Sequence, residues 1–257
     1  MNQKLLQILV LVVTILVIHA FYAFWIYPNV QILEQIAAET GSILPRSFSV
    51  IVKDLEQEVC IILCVWGVYL CADKLFRISS QSYLFDVDLL KNMQDPSSDV
   101  TQTLVAIEDL PEEIKTTPLV QITSSALRRY AITGSIQNAS EAIEPALESM
   151  AIRNEGDISL IKYIAWAIPS IGFLGTVRGI GQAMAQAEIA VAGDIGPMTS
   201  SLGVAFNSTF VALLISIFLM MLLSVLQKVQ DDQLVRVQDY CERYLIRRIS
   251  VTQHEEP

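Results

Sequence analysis

The sequence predicts an all-α polytopic membrane protein with about four transmembrane helices, the last two extended into long cytoplasmic helices. Of the 257 residues, 53% are hydrophobic and only 17% are charged, and the mean hydropathy is +0.47. Soluble domains carry about 25% charged residues. Uncharged stretches of membrane-spanning length occur in both halves of the chain. The net charge of −10 offers no basic patch, so we expect no nucleic-acid partner.

The first candidate span runs from Leu5 to Tyr27 without a charged residue. It is too long for the apolar region of a signal peptide. It closes with five aromatic residues, which suit the membrane–water interface: Phe21, Tyr22, Phe24, Trp25 and Tyr27. His19 lies well inside this span, and a packing or interface role is the favoured interpretation of a single histidine there.

The second candidate, Val59 to Ala72, has only 14 uncharged residues. A helix of that length covers about 21 Å, against a hydrocarbon core of about 30 Å. It spans only if its flanks contribute apolar length and its flanking charges extend to the interface, which involves Leu55, Leu75, Phe76, Glu58 and Lys74. The cysteines Cys60, Cys64, Cys71 and Cys241 form no CxxC pair, and we expect reduced thiols rather than a metal site or disulfides.

The third span, about Leu160 to Ala187, and the fourth, about Ser201 to Leu226, each present a face of small residues. The third span carries Pro169, Gly172, Gly175 and Gly179 together, which is costly in a soluble core. In a membrane, small faces allow two helices to approach closely. The spacing of 4, 3 and 4 recurs in both spans, at Gly172, Thr176, Gly179 and Ala183 and at Ala205, Thr209, Ala212 and Ser216.

Two threonines are predicted to lie at the same membrane depth. Thr176 precedes Met184 by 8 residues, and Thr209 follows Ser201 by 8 residues. Both hydroxyls therefore lie roughly 12 Å below the outer boundary of an antiparallel helix pair. The spacing does not decide between a shared site and two hydroxyls that each bond their own i−4 carbonyl.

The distribution of Lys and Arg predicts cytoplasmic termini. The loop of residues 28–58 carries Arg46 and Lys53, the loop of residues 188–200 carries neither type, and most others fall on the opposite side. The predicted organisation is an N-terminal transmembrane pair with an outer loop (1–72), a cytoplasmic helical region (73–159), a second transmembrane pair (160–226) and a cytoplasmic C-terminal helix and tail (227–257).

The cytoplasmic regions also show helical patterns. Prolines at 96, 111 and 118 interrupt the first region before a short helix from Leu119 to Ala131. Asn138 to Glu141 resembles a capping box that opens a helix continuing into the third span. Gln227 to Ile249 extends the fourth span. Its apolar stripe is expected to pack on the other cytoplasmic helices or on a second copy rather than to form a binding groove: Leu234, Val237, Cys241 and Tyr244.

The stretch GFLGTVRGI from Gly172 to Ile180 resembles the G-x-x-G-T-V-x-G-I element of the MotA/TolQ/ExbB proton-channel family. The stretch AFNSTFVAL from Ala205 to Leu213 is similar to the family's second pore helix, with Thr209 in the threonine position. The extra N-terminal span is typical of MotA-type stators, whereas the GTV-x-GI element is closer to TolQ and ExbB. The subfamily therefore stays open among envelope maintenance, nutrient uptake, motility and defence.

The resemblance implies a pentameric ring in the inner membrane. Its pore would hold the single-span helices of an ExbD/TolR/MotB-type partner, which a flow of protons or sodium ions moves relative to the ring. It implies an ion pathway along Thr176, Thr209, Ser208 and Asn207. Arg178 is added to that pathway as a candidate, although many members carry an aromatic residue there. Helix packing through Gly172, Gly175, Gly179, Ala205 and Ala212 is expected from the small faces, and Ala212 stands where a glycine is common in the family. The resemblance implies no metal site. It implies no cofactor.

The third and fourth spans contain no Asp, Glu or His. Threonine hydroxyls hydrogen-bond but carry no charge, so the carrier carboxylate is expected from the partner helix. Arg178 should face water or protein. Its candidate counter-ions are a partner carboxylate or an outer-loop acid such as Glu188 or Asp194, and structural pairing is favoured over a gating role.

Two functions of other classes remain as alternatives. A non-conducting membrane scaffold explains the small faces but not the matched threonine depth. An enzyme is not expected, because the sequence shows no zinc-ligand spacing, phosphate loop or nucleophile–base pair, and His254 lies in a polar tail.

Overall fold

The computed structural model describes residues 3–40, 47–87 and 100–247. Of these residues, 92% are helical and none forms a strand, which confirms the all-α prediction. The described part contains four helices that are long and apolar enough to cross a membrane. The expectations for Arg46, Pro96, Ile249 and His254 lie outside the described residues.

The N-terminal helix is longer than predicted. α1 (Gln3–Phe21) continues through a five-residue π-helical turn (Tyr22–Ile26) into α2 (Tyr27–Thr40). In that turn the backbone N–H of Tyr27 donates to the carbonyl of Tyr22, five residues back. The aromatic cluster therefore does not end the helix, because the residues after Pro28 continue the apolar pattern with good helix formers.

The second candidate span forms one long helix. After the short α3 (Phe48–Ile51), α4 (Leu55–Gln81) is followed by a 3₁₀ turn (Ser82–Phe85). The flanking residues supply the length that the 14-residue uncharged run lacks. Lys74 does not simply extend to an interface, since its ammonium group pairs with Asp157.

The last two long helices are α9 (Ile143–Ala185) and α11 (Gly196–Tyr240), with the short α10 (Ala187–Val191) between them. α9 runs through Pro145, Gly156 and Pro169 into the third span, as predicted. α11 passes into a second π-helical segment (Cys241–Ile246). The chain turns back between the two helices, where Gly193 adopts a φ of 108° that other residues rarely take.

The chain divides into two compact units. The first comprises residues 1–72 and 160–224, which include the apolar parts of the four long helices. The second comprises residues 73–159 and 225–257.

The second unit has its own apolar core. It contains α5 (Val100–Glu108), α6 (Glu112–Lys115), α7 (Pro118–Thr133) and α8 (Ile136–Glu141). Val237 and Cys241 are buried in that core, with Leu234 and Tyr244 packed against it, which confirms that the predicted stripe packs on the other helices of this unit. The capping-box assignment was wrong, because Ser135 caps α8 and accepts a hydrogen bond from the N–H of Asn138 at 3.4 Å.

Candidate functional site

The candidate site begins with an unusually close contact between α9 and α11. Three glycines of α9 face three small residues of α11: Gly172, Gly175 and Gly179 lie against Ala212, Ser208 and Ala205. A Cβ atom at Gly179 would lie 2.7 Å from the Cβ of Ala205 and 2.9 Å from its backbone nitrogen. Real Cβ atoms do not approach that closely, so at this level the contact requires glycine.

The close approach brings two threonine hydroxyls together. Oγ1 of Thr176 and Oγ1 of Thr209 are in hydrogen-bond contact. Thr176 Oγ1 lies 3.1 Å from the carbonyl oxygen of Ala205, and Thr209 Oγ1 lies 3.2 Å from that of Gly172. Each threonine thus reaches a carbonyl of the opposite helix. The alternative of bonding to its own helix is the longest of these contacts, from Thr176 to Gly172 at 3.4 Å.

The polar residues beside this pair differ in their hydrogen bonding. Ser216 donates to the carbonyl of Ala165 at 2.9 Å. Ser208 is only 1% exposed, and its hydroxyl has no hydrogen-bond partner within the described part of the chain. Asn207 is half-buried beside it. A buried hydroxyl without a partner is uncommon and indicates a place where water or another polar group belongs.

Arg178 pairs with acids that the sequence reasoning did not choose. Its guanidinium contacts both carboxylate oxygens of Glu56, at 2.8 and 2.9 Å, and Asp54 Oδ1 at 3.2 Å. Both acids lie in the predicted outer loop of residues 28–58, so an outer-loop counter-ion was expected correctly, whereas the two examples named for it, Glu188 and Asp194, were wrong. Glu188 is ten residues further along the chain, about 15 Å if helical, whereas Glu56 lies in the first turn of α4 beside Gly175.

Two opposing effects act on the pKa of the Asp54 carboxyl group. Burial raises the pKa of this carboxyl group, and the Arg178 hydrogen bond and charge lower it; the burial effect dominates. Its Oδ2 atom is buried and without a partner among the described residues. The ion pair therefore only partly compensates the burial of this carboxylate.

Glu58 is the residue that the sequence reasoning placed wrongly. It was expected to extend to the interface, but it is 3% exposed. Its Oε1 lies 2.8 Å from His19 Nδ1, and its Oε2 accepts a hydrogen bond from Tyr27 at 3.0 Å. His19 is therefore paired with a carboxylate. The available sequence signal was the pair Glu56 and Glu58, two residues or about 200° apart on a helix, so that they face different neighbours.

The described residues contain no group of three or more His, Cys, Asp or Glu side chains placed to hold a metal ion. The hydroxyl pair between α9 and α11 can donate to or accept from a bound group, but it cannot carry a charge at neutral pH.

Part of the chain, including this helix pair, matches a known protein family. Residues 115–239 match the model of the MotA/TolQ/ExbB proton channel family. The match covers 125 residues, just under half of the chain, and includes both threonines and Arg178. This match is to the family that the resemblance predicted, and the subfamily is unresolved. No curated protein matches the chain.

Proposed function

We propose that this chain is the ring-forming channel subunit of a proton- or sodium-driven membrane motor. It would couple ion flow to movement of a single-span ExbD/TolR/MotB-type partner. The observation that carries the proposal is the contact between the Thr176 and Thr209 hydroxyls, which lies inside the residues that match a proton channel family. The four long apolar helices make the chain a multi-pass membrane protein.

The side chains of the third and fourth spans indicate which groups this chain supplies and which the partner supplies. The third and fourth spans offer hydroxyls and no Asp, Glu or His. A charge pathway through a membrane needs a titratable or ion-binding group, so the partner supplies the carboxylate and the threonines orient it or its water. The unpartnered Ser208 hydroxyl and neighbouring Asn207 extend this polar surface.

We assign Arg178 a positioning role beside the pathway. Its bidentate contact with Glu56 and its contact with Asp54 tie α9 to the start of α4. A guanidinium held in this way is a fixed positive charge near the threonine pair. This role supports the interpretation of Arg178 as a structural pairing rather than a gate.

The remaining parts of the proposal rest on the resemblance and on charge distribution. The pentameric ring and its place in the inner membrane are proposed on the family resemblance, and the cytoplasmic termini on the excess of Lys and Arg on one side. The partner's carboxylate and the coupling ion are part of the same proposal.

One observation favours a second candidate, a non-conducting membrane scaffold. Both threonine hydroxyls already have carbonyl acceptors in the opposite helix. In this alternative they only fasten α9 to α11 and bind no ion or partner group.

Ion flux separates the two candidates. The chain should be reconstituted in liposomes alone, with a single-span partner that carries a membrane aspartate, and with the Asp→Asn form of that partner. The proposal predicts pH- or sodium-gradient-driven flux only in the second preparation, because an amide cannot take up and release a proton near neutral pH. Flux from the chain alone, or no flux in any preparation with a bound partner, contradicts it.

The threonines need their own control. Thr176→Val and Thr209→Val should each reduce flux while leaving assembly intact, since valine keeps the shape but removes the hydroxyl. Thr199→Val is the matched control, because Thr199 is an exposed residue of α11 that bonds its own helix at Ile195 and Gly196. Equal flux in all three variants would contradict the assignment of the two threonines to the ion pathway.

A further inference from the structure

An open cleft in the second unit is lined mostly by polar side chains and takes no part in the proposed ion pathway. Its volume is about 460 Å³, and small-molecule sites measure about 300–1,000 Å³. One wall is a face of α7, and the other runs from α8 into the first turn of α9. The lining residues are Ser125, Arg128, Arg129 and Ile132 on the first wall, and Asn138, Glu141, Ala142 and Pro145 on the second.

The two walls of the cleft have the same spacing. On each, the lining residues lie at positions i, i+3, i+4 and i+7, which share one face where the backbone is helical, as it is through Ala142. Faces with this spacing usually carry apolar residues and close against a neighbour. The buried residues of α7, such as Ala126 and Leu127, lie on the other side of that helix, in the core of the unit. The two polar faces therefore border a space that the described side chains do not fill.

The cleft carries an uncompensated positive charge. Arg128 pairs with Glu108 at 2.9 Å, whereas the guanidinium group of Arg129 has no hydrogen bond or ion pair with any described residue. Glu141, the acid among the lining residues, accepts a hydrogen bond from Gln137 at 2.9 Å rather than from either arginine. The chain has 27 Asp and Glu against 17 Lys and Arg, so an arginine without a carboxylate partner in a concave site indicates an external anion.

Two further side chains of the cleft have hydrogen-bonding groups to offer. The backbone N–H of Asn138 bonds Ser135, but the Asn138 amide group and the Ser125 hydroxyl make no side-chain hydrogen bond within the described ranges. With Arg129 they provide a guanidinium fork, an amide N–H₂ and a hydroxyl as donors. Phosphate oxygens accept several such bonds at once, and arginine binds phosphate through two parallel N–H donors.

Glu141 and the apolar lining residues restrict the ligand further. A carboxylate only accepts hydrogen bonds, so Glu141 suits a hydroxyl group of the ligand and disfavours a bare anion. Ile132 is 76% exposed, and with Ala142 and Pro145 it gives the cleft an apolar edge that can cover carbon atoms. We propose that this cleft binds a small phosphate ester that carries hydroxyl groups, with its phosphate at Arg129 and a hydroxyl toward Glu141.

This inference does not rest on the proposed function. It uses contacts within the second unit, and its test measures binding rather than flux, so its failure and the failure of the channel proposal are distinguishable. Two sources carry the required chemistry, a soluble sugar phosphate and the headgroup of a glycerol-bearing phospholipid. The experiment distinguishes them.

Binding would be measured by isothermal titration calorimetry on the full-length protein in phosphatidylcholine nanodiscs. The probes are inorganic phosphate, ribose 5-phosphate and ribose. We expect saturable binding of ribose 5-phosphate, weaker binding of inorganic phosphate and none of ribose, because the phosphate supplies the charge that Arg129 lacks and the hydroxyls contact Glu141. No saturable binding of either phosphate probe at millimolar concentrations would overturn the proposal.

A matched pair of arginine variants tests the site itself. Arg129→Gln should weaken ribose 5-phosphate binding by about tenfold or more, because it removes charge-assisted hydrogen bonds. Arg153→Gln is the control: Arg153 is an exposed arginine of the same unit that does not line the cleft, and in about 0.15 M salt its charge is screened. Equal losses in the two variants would mean non-specific attraction and would overturn the proposal.

Two further variants test the shape of the cleft and the role of Glu141. Ser125→Trp should abolish binding of both phosphate probes, because an exposed position on the wall then fills the space without a change of charge. Glu141→Ala should strengthen binding of inorganic phosphate and reduce the preference for ribose 5-phosphate. Unchanged affinities in Ser125→Trp, or an unchanged preference in Glu141→Ala, would contradict the proposed placement of the ligand.

The source of the phosphate is decided by the lipid. The ribose 5-phosphate titration would be repeated in nanodiscs that contain phosphatidylglycerol, whose headgroup carries hydroxyls, or phosphatidylserine, which matches its charge without them. Loss of binding with phosphatidylglycerol alone identifies a lipid headgroup as the occupant. Binding that is the same in both anionic nanodiscs identifies a soluble phosphate ester.

Discussion

The contact between α9 and α11 and the contact between α1 and α4 hold membrane helices together by opposite means. The first removes side chains, so that Gly179 lies against the backbone of Ala205 and threonines reach carbonyls of the opposite helix. The second brings long polar side chains together, His19 from one helix and Glu58 from the other. The first contact therefore consists of uncharged groups, whereas the second consists of titratable side chains.

The two contacts also differ in what a substitution would cost. Where backbones touch, any added atom collides, and the cost is steric. Where charged side chains meet, the cost depends on which partner is left without a counter-ion. The predictions below use this difference, and they are ordered by the expected size of the effect.

The largest effect is expected at the glycine contact. Gly179→Ala should lower the free energy of unfolding by about 1–3 kcal/mol, because its new Cβ would overlap Ala205. Gly181→Ala, two residues along the same helix, should be neutral or stabilising by up to about 1 kcal/mol, since nothing lies within 4 Å of its Cβ position. Thermal unfolding in detergent, followed with a thiol-reactive dye on the buried cysteines, would compare them. Equal stability of the two variants would contradict the close contact.

The next effect concerns the charged contact between α9 and the start of α4. Arg178→Met should destabilise the protein by about 1–3 kcal/mol, because it leaves Asp54 and Glu56 together without their cation. Arg77→Met is the control: its exposed i,i+4 pair with Asp73 should be worth only about 0.5 kcal/mol.

Adding Glu56→Gln to Arg178→Met tests the cause of that loss. The double variant should recover part of the stability, because it removes one of the two carboxylates left unpaired. No recovery in the same unfolding assay would mean that Arg178 acts through packing of its side chain rather than through its charge.

A smaller effect is expected from the threonine pair, where the two contact types meet. Thr176→Val and Thr209→Val should each cost about 1 kcal/mol, and the double variant should cost less than the sum, because the hydroxyls contact each other. A double-mutant cycle of unfolding free energies measures this coupling. Strictly additive effects would show that the two hydroxyls act independently.

The smallest effect should be the pH dependence contributed by Asp54. Its pKa is raised in the folded protein by burial, so the folded state binds its proton more tightly than the unfolded state does. The associated stability is present below about pH 4, the ordinary range for Asp, and is lost as pH rises through the folded pKa. Asp54→Asn should flatten unfolding curves in that window. A variant whose pH dependence matches the parent protein would remove Asp54 as the cause.

The sequence predicted the features that depend on spacing within one helix. The small faces of the third and fourth spans and the common level of Thr176 and Thr209 follow from a fixed rise per residue. The continuation of α9 through Pro145 and Gly156 was also predicted correctly, because the apolar pattern persists on both sides of those residues.

The sequence did not predict the partners of charged residues on different helices. Arg178, Glu56 and Glu58 are each visible in the sequence, but their pairing depends on how α4 is rotated relative to α1 and α9. In the sequence, a charged residue at the edge of an apolar run looks the same whether its side chain reaches the interface or pairs with a histidine of another helix. Glu58 was assigned to the interface for that reason.

The π-helical turn at Tyr22–Ile26 accommodates one residue more than a regular α-helix would hold between His19 and Tyr27. His19 and Tyr27 are eight residues apart, which in a regular α-helix separates their directions by about 80°. A π turn absorbs one extra residue, so the pair behaves as though seven residues apart and shares a face toward Glu58. Related chains that lack one residue in this segment can thus preserve the same triad in an unbroken α-helix, and alignments should place a gap there.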